Sequence, residues 1–248
     1  MKAPLPNSCL ENVGTVRFVS DQIKKKTSSL RLRIISASVL APLVLGAVYW
    51  GGWPFNVLIG LMVLILTSEW SRIVGKRPGW MLLGLFYITF SCWALWRLRM
   101  DPEWGRLLLF WLLAVVWAAD TGGFVFGLNI GGPKLAPRIS PNKTWSGFLG
   151  GTLTSAVCGW AVVAYALNTP DHQIGWRIAA LSAAMAVVSQ AGDLFESWIK
   201  RRFDVKDSGT IIPGHGGLFD RVDGLVAAAL VTAFISLSAE GNVLTWLS

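Results

Sequence analysis

Seven apolar runs divide this chain: Ile34–Trp50, Pro54–Glu69, Trp80–Trp96, Leu107–Phe126, Phe148–Leu167, Trp176–Gly192 and Leu225–Leu237. Polar segments rich in Lys, Arg, Asp and Gly separate them. Runs of this length predict helices that cross a membrane, because backbone N–H and C=O groups in lipid must find partners within their own segment. Only 15% of the residues are charged, against about a quarter in soluble domains. The fourteen tryptophans fit the same class, since the indole ring favours the lipid–water boundary. The fold class expected is therefore an all-α polytopic membrane protein of about seven transmembrane or partial helices. The second and seventh runs are the weakest spans, each open to being a partial or re-entrant helix. Residues 1–30 have no apolar core and read as a flexible polar tail rather than a cleaved signal. Residues 31–248 form a single membrane domain.

The formal charge of +8 would suggest nucleic acid in a soluble protein. Here the basic residues lie between apolar runs with no interleaved stacking aromatics, so they speak for topology and anionic lipid. With the N-terminus inside, 18 Lys and Arg residues fall on the inner side and 4 on the outer. That bias puts the N-terminus and both long polar loops in the cytoplasm; the location expected is a bacterial inner (cytoplasmic) membrane. The three cysteines, Cys9, Cys92 and Cys158, form no CxxC, which argues against a zinc site or a disulfide framework.

Three stretches carry polar chemistry. The sixth run ends in "SQAGDLFESWIKRR". On a helix, Gln190, Asp193 and Ser197 share one face, Asp193 meets Glu196 at i+3, and Lys200 follows one turn on. A carboxylate beside an apolar run is costly unless paired, hydrated or metal-bound, whereas Lys200 and Arg201 also fit a snorkelling helix end. Next comes "KDSGTIIPGHGGLFDRVDG". Asp220 and Asp223 stand three apart and repel one another unless a cation joins them. Gly214, Gly216 and Gly217 allow close backbone approach to a ligand, and such a loop can cradle phosphate. His215, one of only two histidines, reads equally as structural or as part of the site. The third stretch, "DTGGFVFGLNIGGPKLAPRISPNKTWSG", begins at Asp120, at the end of the fourth span. It places Ser140, Lys143, Thr144 and Trp145 before a helix start, which suits phosphate or a simple N-cap.

The pattern Ser197-x-Ile199-Lys200-Arg201-x4-Lys206-Asp207-x-Gly209-x2-Ile212-Pro213-x-His215-Gly216-Gly217-Leu218-x-Asp220-Arg221-Val222-Asp223 resembles the signature of the phosphatidate cytidylyltransferases, or CDP-diacylglycerol synthases. "DTGGFVFG", "KLAPRISPNKTWSG" and "GDLFES" resemble further stretches of that family, in the same order, over roughly residues 30–240. The resemblance implies transfer of the cytidylyl group of CTP to phosphatidate, giving CDP-diacylglycerol and pyrophosphate. It also implies Mg²⁺, a monovalent cation such as K⁺, and a homodimer. Carried onto this chain, Asp193 and Asp220 become metal-site carboxylates, with Asp223 and Ser197 close by. Lys206 and Arg221 join the two aspartates as the groups expected to act on the reacting phosphates. Ser140, Lys143, Thr144, Trp145, Ser197, Lys200, Arg201, His215, Gly216 and Gly217 are the expected substrate contacts.

Three other readings compete. A CDP-alcohol phosphotransferase would need DG-x2-AR, and "DGLVAA" lacks its Arg. A transporter would carry mid-span charges or an inverted repeat, and neither is evident. A cytidylyltransferase for another lipid phosphate, such as an isoprenoid one, stays open.

Overall fold

The computed structural model describes residue 36 and residues 38–168, 172–209, 211 and 216–238. The polar tail of residues 1–30 and His215 lie outside them. The described chain folds as α1 (Ser38–Trp50), α2 (Gly52–Val74), α3 (Pro78–Arg99), α4 (Gly105–Asn129), β1 (Lys134–Ala136), β2 (Ser140–Thr144), α5 (Trp145–Leu167), α6 (His172–Arg202) and α7 (Phe219–Ser238). Six of these helices, α2 to α7, are long and apolar enough to cross a membrane. The protein is thus an all-α polytopic membrane protein.

The helix ends depart from the apolar runs. Helix α2 has 23 residues and α7 has 20, so neither is the partial helix expected. Among the described residues the short one is α1. Helix α6 continues past Gly192 to Arg202, and α4 continues past Phe126 to Asn129, so the third polar stretch is helical from Asp120 to Asn129. In α2 and α6 the apolar run stops at or just before a charged residue, Glu69 or Asp193, that the helix nonetheless absorbs. A small antiparallel hairpin, β1 with β2, also stands where only loop was expected; Lys134 pairs with Thr144 and Ala136 with Ser140.

Two corners define the bundle. Gly51, at φ 67°, turns the chain sharply between α1 and α2, in the left-handed region that glycine enters without strain. Arg99, at the end of α3, holds this corner by donating to the Val48 carbonyl at 2.7 Å. Helices α4 and α5 meet through glycines, the small residues that allow close backbone approach in membranes. Ser155 Oγ adds a 2.8 Å bond across the same interface to the Val115 carbonyl. A Cβ at Gly151 would sit 2.5 Å from the Ala119 carbonyl oxygen, so even alanine must part the two backbones. Gly151→Ala is expected to destabilise the protein by about 1–3 kcal/mol, the usual range for overpacking. An unchanged thermal midpoint in detergent would show that the crossing relaxes freely.

Helix α6 sits centrally against α4, α5 and α7. Trp111 of α4 donates to Ser182 Oγ of α6 at 3.0 Å. Trp70 of α2, fully buried, donates to the Trp80 carbonyl at 2.8 Å and stacks edge-on with Phe219 at the start of α7. Thus α2, α3 and α7 share one core, and the first turn of α7 is seated in it.

Candidate functional site

A cavity of about 850 Å³ lies among α1, α4, α5, α6, α7 and the hairpin. Its polar part is built by three elements that the sequence places far apart. Helix α6 supplies Asp193, Glu196 and Lys200 on one face. The first turns of α7 supply Asp220, Arg221 and Asp223. The hairpin supplies Asn142, Lys143 and Thr144. Asp120 of α4 joins them. Leu40 and Val44 of α1, with Leu113, Val116, Trp117 and Phe124 of α4, line an apolar part of the same cavity.

The hairpin docks on α6 through charge. Lys143 Nζ lies 2.5 Å from Asp193 Oδ2, and Arg201 Nε reaches the Ile139 carbonyl at 3.4 Å. Thr144 is the N-cap of α5, its side chain accepting from Gly147 N at 3.1 Å. The cap alternative open in the sequence is therefore realised, and the same residue still lines the cavity.

Carboxylates fall into two groups. Oxygens of Asp193, Glu196 and Asp223 lie within 4.8 Å of one another. Asp193 also accepts from Ser197 Oγ at 3.3 Å, and Asp223 from Gly224 N at 2.8 Å. Glu196 is 2% exposed, and its Oε1 has no hydrogen-bond partner among the described residues. A buried, half-satisfied carboxylate beside two others is costly without a cation. Asp220 belongs to a different arrangement. It accepts from Lys200 Nζ at 2.7 Å, Ser208 Oγ at 3.0 Å, Ser208 N at 3.1 Å and Gly217 N at 2.9 Å. Lys200 turns to Glu196 as well, at 2.9 Å, and so couples the two groups.

The remaining expected residues scatter. Arg221 lines the cavity. Gly216 and Gly217 lie against Asp220 and Ser208, so they shape the loop that holds Asp220. Ser140 is half-buried in β2, and Trp145 is exposed at the first turn of α5 with its ring edge-on to Phe148. Lys206 and Arg201 are exposed and do not line the cavity. Asp120, Asn142, Glu196 and Asp207 are cavity residues that sequence reasoning left out of the site. Each carried a signal that was not turned into a role: Glu196 its i+3 spacing from Asp193, and Asp120, Asn142 and Asp207 their places in the stretches that resemble the family.

The cytidylyltransferase family model matches residues 75–238. A protein of Brucella abortus (strain 2308) named phosphatidate cytidylyltransferase is 46% identical over 189 residues, covering 76% of this chain and 67% of the relative. A Rickettsia felis protein of the same name is 34% identical over 224 residues, covering 88% of this chain and 96% of the relative. One from Rickettsia bellii is 36% identical over 217 residues, covering 86% and 93%.

Proposed function

The chain belongs to the cytidylyltransferase family, and we propose that it transfers the cytidylyl group of CTP to phosphatidate, giving CDP-diacylglycerol and pyrophosphate. One observation carries the geometric side of this reading. A single cavity joins a floor of carboxylates and cations to an apolar wall, as a substrate pair made of a nucleotide triphosphate and a lipid phosphate requires. The relatives' shared name supports the same substrates.

The chemistry asks little of a base. A phosphate oxygen of phosphatidate, already anionic at neutral pH, attacks the α-phosphorus of CTP. The bond from that phosphorus to the bridging oxygen breaks, and pyrophosphate leaves with the electron pair. Positioning and charge neutralisation are what the protein supplies. Lys143 and Arg221 line the cavity and offer cations to phosphate oxygens. Lys200, clasped by Glu196 and Asp220, acts as fixed counter-charge.

The donor set fits a hard divalent cation. Asp193, Glu196 and Asp223 offer only oxygen, and one buried oxygen lacks a partner, which suits Mg²⁺. Bound there, Mg²⁺ would offset the charge that builds on the transferring phosphates. Asp220, saturated by four donors, orients its neighbours in this account. A monovalent cation such as K⁺ and a homodimer are part of the proposal on family resemblance alone. Replacing K⁺ by a large organic cation and measuring the oligomer's mass in lipid discs test the two separately.

The decisive assay is pyrophosphate release by the purified protein. Release from CTP should require added phosphatidate, should stop in EDTA and should return with Mg²⁺. Release supported by an isoprenoid phosphate in place of phosphatidate would overturn the substrate assignment, and full activity in chelator would overturn the metal.

The protein is an integral membrane protein on the strength of its six long apolar helices. Its placement in the inner (cytoplasmic) membrane, with the N-terminus in the cytoplasm, rests on the 18-to-4 basic bias and on CTP being a cytoplasmic nucleotide. Asn142 and Asp207 are exposed and line the cavity. Single cysteines there, in a background without Cys9, Cys92 and Cys158, should react with an impermeant thiol reagent only in opened cells, and more slowly with CTP and Mg²⁺. Labelling of either position from the outside of intact cells would refute this topology.

A further inference from the structure

We propose that Glu69 is a positioning residue for the cytidylyl-transfer site, anchoring the first turn of α7 so that Asp220 and Asp223 reach the cavity. Glu69 lies in α2, ahead of the residues that the family model matches, and it does not line the cavity. It is fully buried at 0% exposure. A buried carboxylate demands strong partners, and those of Glu69 come almost entirely from one distant segment. Its Oε1 accepts from Leu218 N at 2.9 Å and its Oε2 from Phe219 N at 2.8 Å. The Ser208 hydroxyl stands 3.3 Å from Oε2.

The two backbone donors are N–H groups at the start of α7, which have no acceptor within that helix. Local N-caps use a side chain one or a few residues away; here the cap arrives from 149 residues earlier in the chain. A negative charge at this end also meets the positive pole of the helix dipole. The fit is tight on the other side too. A Cβ at Gly209 would sit 2.7 Å from Oε1, and one at Gly217 2.9 Å from it, so the backbone closes directly on the carboxylate.

From Glu69 a chain of polar contacts leads to the carboxylate cluster, with the one Ser208 hydroxyl proton shared between two carboxylates. Ser208 Oγ contacts Glu69 and, at 3.0 Å, Asp220. Asp220 holds Lys200, and Lys200 holds Glu196. Asp223 sits one turn beyond Asp220 on the helix that Glu69 pins. Loss of the anchor frees the first turn of α7, and with it the spacing of Asp223 from Asp193 and Glu196.

The test uses full-length protein in lipid discs with Glu69→Ala, Glu69→Gln and the parent. Mn²⁺ binding is read by electron paramagnetic resonance, turnover by pyrophosphate release, folding by thermal midpoint, and order of the turn by hydrogen exchange of the 216–223 peptide. Removing the anchor should quicken exchange and weaken Mn²⁺ binding by about 10- to 100-fold, the range for groups that orient metal ligands. The value of kcat should fall with little change in KM for CTP. Glu69→Gln, which keeps one acceptor oxygen, should fall between the other two; it decides the matter if Glu69→Ala does not insert. Folded variants with a lower midpoint but parental Mn²⁺ affinity and kcat would reduce Glu69 to a stability role and overturn the proposal. The kinetic arm rests on the cytidylyltransferase reading; the others do not. If the parent binds no Mn²⁺ or releases no pyrophosphate, those readings fall on their own, and unchanged exchange at residues 216–223 overturns the role of Glu69.

Discussion

Asp193→Asn should lower kcat by about a thousandfold, equivalent to about 4 kcal/mol of transition-state stabilisation, while the protein still inserts and folds. Asp193 holds Lys143 at 2.5 Å and shares the carboxylate cluster with Glu196 and Asp223. Asparagine keeps the shape but removes the charge, so the ion pair with the hairpin is lost together with one carboxylate of the proposed cation site. Because the Asp193 side chain is 35% exposed, folding should survive the change. Initial rates at saturating Mg²⁺, with a thermal midpoint on the same sample, check both halves. Turnover within a few-fold of the parent would remove Asp193 from the site.

Lys200→Met should, unlike Asp193→Asn, bring a large loss of stability. The Lys200 side chain is 13% exposed and sits between Glu196, at 2%, and Asp220, at 11%. Taking away the cation leaves two buried carboxylates facing each other, a situation that costs about 3–5 kcal/mol. For a chain of this size that corresponds to roughly 10 °C or more in thermal midpoint. The double variant Lys200→Met/Glu196→Gln should recover part of the loss, because it removes one of the stranded charges. Additive losses in the double variant would mean that the two side chains do not interact as described.

The helices were legible because lipid leaves the backbone no partners but its own, so apolar length alone announces them. Their ends were not. Hydropathy falls at Glu69, Asp193 and Asp220, yet α2, α6 and α7 include all three residues. For Glu69, Asp193 and Asp220, partners from other elements meet the charge. The hairpin was invisible for a different reason: strands of three and five residues, with Pro141 inside the second, are too short for any periodicity. Within the site, residues spaced along one helix could be grouped from the chain alone, as Asp193, Ser197 and Lys200 were. Glu196 was noticed beside Asp193 but not assigned, since only the packing of α7 against α6 brings Asp223 to it. Glu69 had no local signal at all, because what it binds is backbone 149 and 150 positions away.

The lining of the cavity has a sign. Asp120, Asp193, Glu196, Asp207, Asp220 and Asp223 face Lys143, Lys200 and Arg221, which leaves an excess of three negative charges when all are ionised. A polyanion entering alone meets repulsion focused by low-dielectric walls. With a cation bound as proposed at Asp193, Glu196 and Asp223, cation and nucleotide would be thermodynamically linked ligands, each tightening the other by the same factor. The affinity of this site for a triphosphate would then have no single value. It would follow the free cation concentration, so the cell's cation pool would set it as much as its nucleotide pool.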